Sequence, residues 1–405
     1  MSVTTRLASA NVYDNTVDQI AARQSQLAKL QDQLSAGKRV LRPSDDPTAA
    51  GQAERATTRM ARVTSDQRAL EVQRNAVATA ESTLGDATTA MQSFRTLLVQ
   101  AGNTSLTATD RASVAQQLAT LRDQLVGYAN TRDSNGQPLF GGLGSTAAPF
   151  SDVGGTVTFN GIAGQTAGGD NDIPATLDGQ ATWMDVPTGN GVFTMTQGAA
   201  TAKVSSDAGQ VSDPKALTGH GYSVTFNVVA GVAGAASSTT YDVIDTTTHS
   251  AVLSAQPYKT GQAIGFDGLS FVASGAPAAG DSLVVNPSTK VSLFGVLDQA
   301  IAGVRNGDNP SALTQTVAQG LAQVDSALSR LSATRGRAGD LLNRVDNITD
   351  RQDSRSVQLE SERSHAEDID MVKALSSFKT QETAYSAALG SYAQIQKLSL
   401  FNYIS

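Results

Sequence analysis

Apolar residues recur every seven positions from near the start of the chain: Tyr13, Ile20, Leu27, Leu34 and Leu41, with Val17 and Leu30 between them. This spacing predicts a helix with one narrow apolar stripe, the pattern of a coiled-coil seam. Ser35-Ala36-Gly37 supplies the stop, because glycine tolerates the left-handed conformation in which helices end. Pro43-Ser44-Asp45-Asp46-Pro47 reads as a fresh start, with a capping Ser or Asp ahead of a proline at the first helical position.

The second helix repeats the pattern more strictly. Val63, Leu70, Val77, Leu84, Met91 and Leu98 are seven apart, and Ala80, Ala87, Phe94 and Ala101 supply the other half of the seam. Some 50 residues at about 1.5 Å each make a rod of roughly 75 Å, which must pack against other rods. A third, shorter helix is expected from Thr109-Asp110, through Val114, Leu118, Leu121, Leu125 and Tyr128, ending before the Asn135-Gly136 turn. Towards the C-terminus, Asn309-Pro310 opens a helix carrying Val317, Leu321, Val324, Leu328, Leu331, Ala338, Leu342 and Val345. Phe378, Tyr385 and Tyr392 then repeat at seven beside Leu375 and Leu389, and the chain closes on the apolar run Leu398-Ser399-Leu400-Phe401.

Between these flanks the period changes to two. Tyr222, Val224, Phe226 and Val228 alternate with polar residues, as in a half-buried strand. Residues 239–245, 268–273 and 282–286 are further short strand candidates between Gly, Pro and Ser turns. The expected fold is α+β and multidomain: a long antiparallel helical coiled coil or bundle formed by both termini, with an inserted, mainly β domain. The expected divisions are 1–42 with 365–405 as terminal helical segments, disordered in the monomer; 43–140 with 292–364 as a helical rod; and 141–291 as a β-rich outer domain. Insertion between distant flanks requires the two ends to pack together.

Composition sharpens these boundaries. Of the 36 glycines, 23 fall within 141–290, a stretch with eleven Asp, no Glu and only Lys203, Lys215, Lys259 and Lys290 for cations. The charges of the two flanks cancel, so the net charge of −7 belongs to the middle. An acidic balance argues against nucleic acid, which demands a Lys/Arg surplus. No apolar run is long enough for a membrane span, and Met1-Ser2-Val3-Thr4-Thr5-Arg6 lacks the regions of a cleaved signal peptide.

Candidate chemistry is sparse. There is no cysteine, and His220, His249 and His365 have no metal-ligand spacing. Adjacent Asp45 and Asp46 are better explained as helix caps than as a metal or acid/base pair. Asp346-Asn347-Ile348-Thr349-Asp350 and Glu367-Asp368-Ile369-Asp370 do not fit a calcium loop and are read as solvated helix faces. Gly141-Gly142 and Gly154-Gly155 lack the partners of a phosphate-binding loop and are read as turns, and Trp183 as a core residue. No catalytic, cofactor or metal site is expected. The thin terminal seams, by contrast, are marginal as an isolated helix pair, which points to assembly with further copies or partners.

Leu34-Ser35-Ala36-Gly37-Lys38-Arg39-Val40, followed by Pro43-Ser44-Asp45-Asp46-Pro47-Thr48-Ala49-Ala50, resembles the N-terminal signature of the bacterial flagellin family. The Asp-Asp-Pro variant and the ending Lys397-Leu398-Ser399-Leu400-Phe401 are similar to its hook-associated protein 3 branch, the hook–filament junction proteins. Residues 129–142 are similar to the family's exit from the helical domain, and 264–271 with 280–283 to its last strands. The resemblance implies export through the flagellar type III channel without a cleaved signal. It implies extracellular assembly between the first hook-associated protein and flagellin, contact with other copies, and an export chaperone on a terminal segment. It also implies assembly contacts at Tyr13, Ile20, Leu27, Leu34, Phe378, Tyr385, Leu389, Tyr392, Leu398, Leu400 and Phe401, with Gly37, Lys38, Arg39, Pro43, Ser44, Asp45, Asp46 and Pro47 as the motif and helix cap. A flagellin-type filament subunit is the alternative within the family. Outside it stand a signalling coiled coil and an enzyme or adhesin seated in the middle domain.

Overall fold

The computed structural model describes residues 3–144, 147–166, 173–199, 201–229 and 237–404, with side chains from 14 to 394 within those spans. Helices α1 (Val3–Ala36), α2 (Pro47–Ala101) and α3 (Ala108–Ala129) precede thirteen described strands, and α4 (Leu293–Arg305), α5 (Pro310–Glu367) and α6 (Met371–Ile404) follow them. The chain divides into two compact units, 1–68 with 349–405, and 69–348. The expected order of helices, inserted strands and helices is the one observed.

In the unit 69–348 the seven-residue stripe of α2 becomes a core. Leu70, Val77, Leu84, Met91 and Leu98 are buried with Phe94 and the intervening alanines, against Val324, Leu331, Ala338, Val345 and Ile348 of α5. Fully burying one such side chain stabilises the fold by about 1.5–3 kcal/mol. Polar pairs flank the seam in antiparallel order: Arg95 Nε to Asp325 at 2.8 Å, Arg335 Nε to Glu81 at 2.6 Å, and Arg74 Nε to Asp346 at 3.9 Å. These pairs are half-exposed, so their contribution is to register more than to stability.

Capping fixes the shorter helices. Thr107 and Asp110 form a reciprocal capping box on α3, and Ser292 Oγ accepts the Gly295 N–H at 2.9 Å to start α4. Nothing in the period of seven announced α4. It is a short, strongly apolar helix whose Leu293, Phe294, Leu297, Ile301 and Val304 are all buried in the same core.

That core also runs past residue 141, the expected start of the outer domain. Strands β1 (Phe150–Val153) and β2 (Thr156–Phe159) form a hairpin whose two-residue turn is Gly154-Gly155, at φ 64° and 81°. Only glycine adopts two such consecutive conformations without strain, so these glycines serve a type I′-like turn. Phe150 of this hairpin and Trp183 of a one-turn π-helix (Gln180–Met184) pack on Phe294 of α4, Trp183 stacked on it at 6.0 Å, and Phe140 meets the edge of Trp183. Aromatic area of this size is buried most effectively against the helices.

The second apolar core lies between two small sheets. In one, β4 (Phe193–Gln197), β12 (Ser282–Pro287), β7 (Tyr222–Val229), β8 (Ser238–Asp245) and β9 (Ala251–Pro257) are antiparallel in that spatial order. In the other, β11 (Leu269–Gly275) pairs with β10 (Ala263–Phe266), β5 (Val204–Ser206) and β6 (Gln210–Val211). β3 (Val186–Pro187) pairs separately with β13 (Lys290–Val291). The alternation in β7 is realised: Tyr222, Val224 and Phe226 are buried, Ser223 and Thr225 less so. A single buried side chain of α5 reaches this core. Gln315 accepts from Ser206 N at 2.6 Å and donates to the Met195 carbonyl at 3.1 Å.

Candidate assembly interface

Two helix breaks build the candidate site, both within the unit formed by the chain ends. The first lies between α1 and α2. Gly37 takes φ 69°, and Lys38 N donates back to the Gln33 carbonyl at 3.2 Å, the six-to-one bond of a Schellman end. The second break separates α5 from α6. Of Glu367–Asp370, expected to be a solvated helix face, Glu367 ends α5 and Asp368, Ile369 and Asp370 form a connector, which corrects that reading. Asp370 Oδ1 accepts the Lys373 N–H at 3.0 Å and so caps α6. Its Asx-type capping chemistry competed with helix continuation and won.

The breaks are bonded to each other. Arg39 N donates to the Glu367 carbonyl at 2.7 Å, Ile369 N to the Gly37 carbonyl at 3.1 Å, and Arg39 Nη2 to the Ala366 carbonyl at 2.8 Å. Buried Gln33 closes the turn through Nε2 on the Arg39 carbonyl at 2.6 Å. Lys38 Nζ meets Glu367 at 3.1 Å, and Glu367 also receives Arg363 at 2.8 Å. Asp46 caps α2, as expected, whereas Asp45 braces the turn before it and caps no helix. Asp45 Oδ2 accepts the N–H groups of Leu41 and Arg42 at 3.2 and 3.0 Å while its other oxygen meets Lys29 at 2.8 Å. Asp46 Oδ1 accepts the Ala49 N–H at 3.0 Å, and its other oxygen meets Arg39 at 3.1 Å. The Lys29 ammonium and then the Arg42 N–H hold Asp45 below the usual carboxylate range; for Asp46 the Ala49 N–H leads, followed by Arg39. Pro47 opens α2, and Pro43 and Ser44 are exposed in the turn. Gln33 and Ala366 belong to this junction and went unnoticed in the sequence, while Glu367 and Asp370 were read as a solvated helix face; the interruption of the apolar period at 366–370 was the available signal.

Beyond the junction α1 and α6 pack antiparallel, with Gln381 Nε2 on Gln26 Oε1 at 2.6 Å. Ile20, Leu27, Leu30 and Leu34 face Phe378, Tyr385 and Tyr392, yet every one of these is only half-buried. Leu389 lies off the seam at 41% exposure, its place being taken by half-buried Ala388. Val17, Leu375 and Val372 are also exposed, Val372 at 82%. Tyr13, Leu398, Leu400 and Phe401 lie outside the residues whose side chains are described. Among the described residues no cluster of three or more His, Asp or Glu side chains is placed to hold a metal, and no helix is long and apolar enough to cross a membrane.

Of the histidines, His220 Nδ1 lies 2.7 Å from buried Asp245. Burial pushes Asp245 up, but the Thr248 N–H, His220 and the Thr247 N–H outweigh it and hold the carboxyl well below its usual range. The pair closes the β8–β9 turn and has no third partner of a catalytic set.

The model of the bacterial flagellin N-terminal helical region matches residues 8–145, and that of the C-terminal helical region matches 321–404. Together they cover just over half of the chain, including both helix breaks and both seams. The chain belongs to the flagellin superfamily. Within it, flagellar hook-associated protein 3 of Escherichia coli is 26% identical over 98% of this chain and 98% of its own length. That of Salmonella typhimurium is 35% identical over 46% of this chain and 56% of its own. The crystal structure of hook-associated protein 3 from Legionella pneumophila superposes with a TM-score of 0.69 at 28% identity, covering 77% of this chain and 99% of that one. As a flagellin-superfamily member the chain is a structural protein of the bacterial flagellum.

Proposed function

We propose that this protein is the adaptor between hook and filament, bound on one side to the first hook-associated protein and on the other to flagellin, with other copies of itself completing a layer. The observation that carries this reading is the pair of terminal helices whose apolar seams face each other and remain half-buried along their length. Two helices cannot enclose such a seam, whereas several copies can. The 26% identity to hook-associated protein 3 over 98% of this chain, with a solved structure of that protein superposing at a TM-score of 0.69, supports the junction role over that of a filament subunit. On this reading Tyr13, Ile20, Leu27, Leu34, Phe378, Tyr385, Tyr392, Leu398, Leu400 and Phe401 are assembly contacts. The protein is exported without a cleaved signal, with a chaperone shielding a terminal segment until then, and the acidic β-rich segment faces the medium.

The test is complementation in a strain lacking its own copy of the protein. Full-length protein restores filament growth, and a chain lacking residues 1–30 folds but does not. Seeding separates the family alternatives: a junction protein stops at a thin layer on hook ends, whereas long filaments of this chain alone would identify a flagellin.

A further inference from the structure

Arg55, Arg59 and Arg62 succeed one another on α2 at steps of four and three, on the side away from buried Ala49, Ala53 and Ala56. All three are exposed, and none has a hydrogen bond or ion pair with another described residue. Three cations at or near the neighbouring break behave differently: Lys29, Lys38 and Arg39 each hold a carboxylate. On α1 the opposite sign recurs. Asp14, Asp18 and Asp32 share the face away from Ile20, Leu27 and Leu34, are exposed, and are likewise without a partner among the described residues. Asp14 to Asp18 repeats the four-residue step of Arg55 to Arg59, about 6 Å along a helix axis.

We infer that these two stripes are complementary halves of one contact between copies, the arginines of α2 on one copy receiving the α1 carboxylates of the next. The inference rests on the assembly reading above, and adds to the apolar seam a second, polar contact that sets which neighbour is accepted and in what register. Opposite stripes do this by steering the approach and by penalising wrong pairings, where like charges meet. A nucleic acid or anionic lipid suits the arginines less well, since Glu54 and Asp66 flank them and interrupt the positive field.

The absence of native cysteine makes a direct test available. Full-length Arg59→Cys protein is mixed with full-length Asp18→Cys protein, assembled on hook ends, and treated with a short bismaleimide. Cross-linked heterodimer is expected at least tenfold above a mixture of Arg59→Cys with a Cys placed at Ser25; equal yields overturn the inference. The second arm is charge exchange. Arg55→Glu/Arg59→Glu/Arg62→Glu and Asp14→Lys/Asp18→Lys are each expected to reduce incorporation about tenfold, and their combination in one chain to restore it. Wild-type incorporation by either single set, or failure of the combination to restore it, overturns the pairing, the latter outcome pointing to two different partners such as a polyanion on α2. Circular dichroism confirms folding, and Arg→Gln replacements stand in for any set that does not fold. If the unaltered protein itself fails to incorporate at hook ends, it is the assembly reading that falls.

Discussion

Replacing Gln315 by Leu removes a strut while nearly preserving side-chain volume. Gln315 is 4% exposed and serves two backbone groups of the β core, accepting the Ser206 N–H at 2.6 Å and donating to the Met195 carbonyl at 3.1 Å. Both of those residues are buried, so neither group recovers a water partner once the amide is gone. An orphaned buried backbone group costs about 1–3 kcal/mol, giving about 2–6 kcal/mol for the two, from which the added apolar packing of Leu subtracts about 1 kcal/mol. At about 2–4 °C per kcal/mol for a large domain, the net loss of about 1–5 kcal/mol lowers Tm by roughly 2–20 °C. Thermal unfolding by circular dichroism reads the total. Hydrogen exchange reads the cause: protection of the Ser206 amide should collapse while that of Val224 in the middle of its sheet changes little. Gln315→Glu sharpens the test: as a carboxylate it accepts from Ser206 but cannot donate to Met195 and buries a charge, whereas once protonated it can do both, so its stability should approach that of the parent as pH falls. A Tm within about 1 °C of the parent, with Ser206 still protected, would refute the assignment of this strut.

Gly37→Ala should open the junction, because φ 69° disfavours any side chain by about 1–2 kcal/mol even though an added Cβ meets nothing within 4 Å; Gly37→Asn should be milder, and proteolysis across 37–47 measures both. The lowered carboxyls at Asp45 and Asp46 give stability that is present above the unfolded value near 4 and is lost as pH falls through their lower native values; Asp46→Asn keeps the cap and removes its share of the acid dependence, seen in acid titrations of helicity. Arg122 is buried between Asp152 and Asp298, so Arg122→Met should cost about 2–3 kcal/mol in urea unfolding, the carboxylates being partly hydrated. Asp298→Asn should be milder than Asp152→Asn, since burial pushes the Asp298 carboxyl up despite Arg122, whereas Arg122 holds Asp152 down. Both chain ends of the unassembled protein should be cleaved first in limited proteolysis; resistant ends would mean that the seam is complete in one copy.

What could be read directly from the sequence was whatever repeats or caps locally. The α2 stripe from Val63 to Leu98, the Asp46-Pro47 start and the alternation of Tyr222 to Val228 each depend on neighbours within a few residues, and each is found as expected. Contacts across hundreds of residues were invisible. Nothing near Trp183 says that it stacks on Phe294, and nothing near Gln315 names Ser206. Helix α4 was missed because its thirteen residues hold fewer than two heptads, so it showed as apolar composition rather than as a period. Leu389 was placed on the seam by size, but helix geometry gives that position to Ala388. The junction at 366–370 escaped because its carboxylates look like a solvated helix face until Asp370 is seen to cap α6.

The two breaks have a mechanical consequence. They sit side by side on antiparallel neighbours, and the links joining them are few: main-chain bonds from Arg39, Val40 and Ile369, and the Arg39 and Lys38 side chains. Bending a continuous helix strains its whole ladder of hydrogen bonds, whereas here a change of angle is absorbed by the dihedrals of a few residues outside any helix, on both helical arms at one level. In the hook–filament layer proposed above, each subunit could therefore carry the same terminal helices at a slightly different inclination from its neighbours, with that tolerance confined to a single joint.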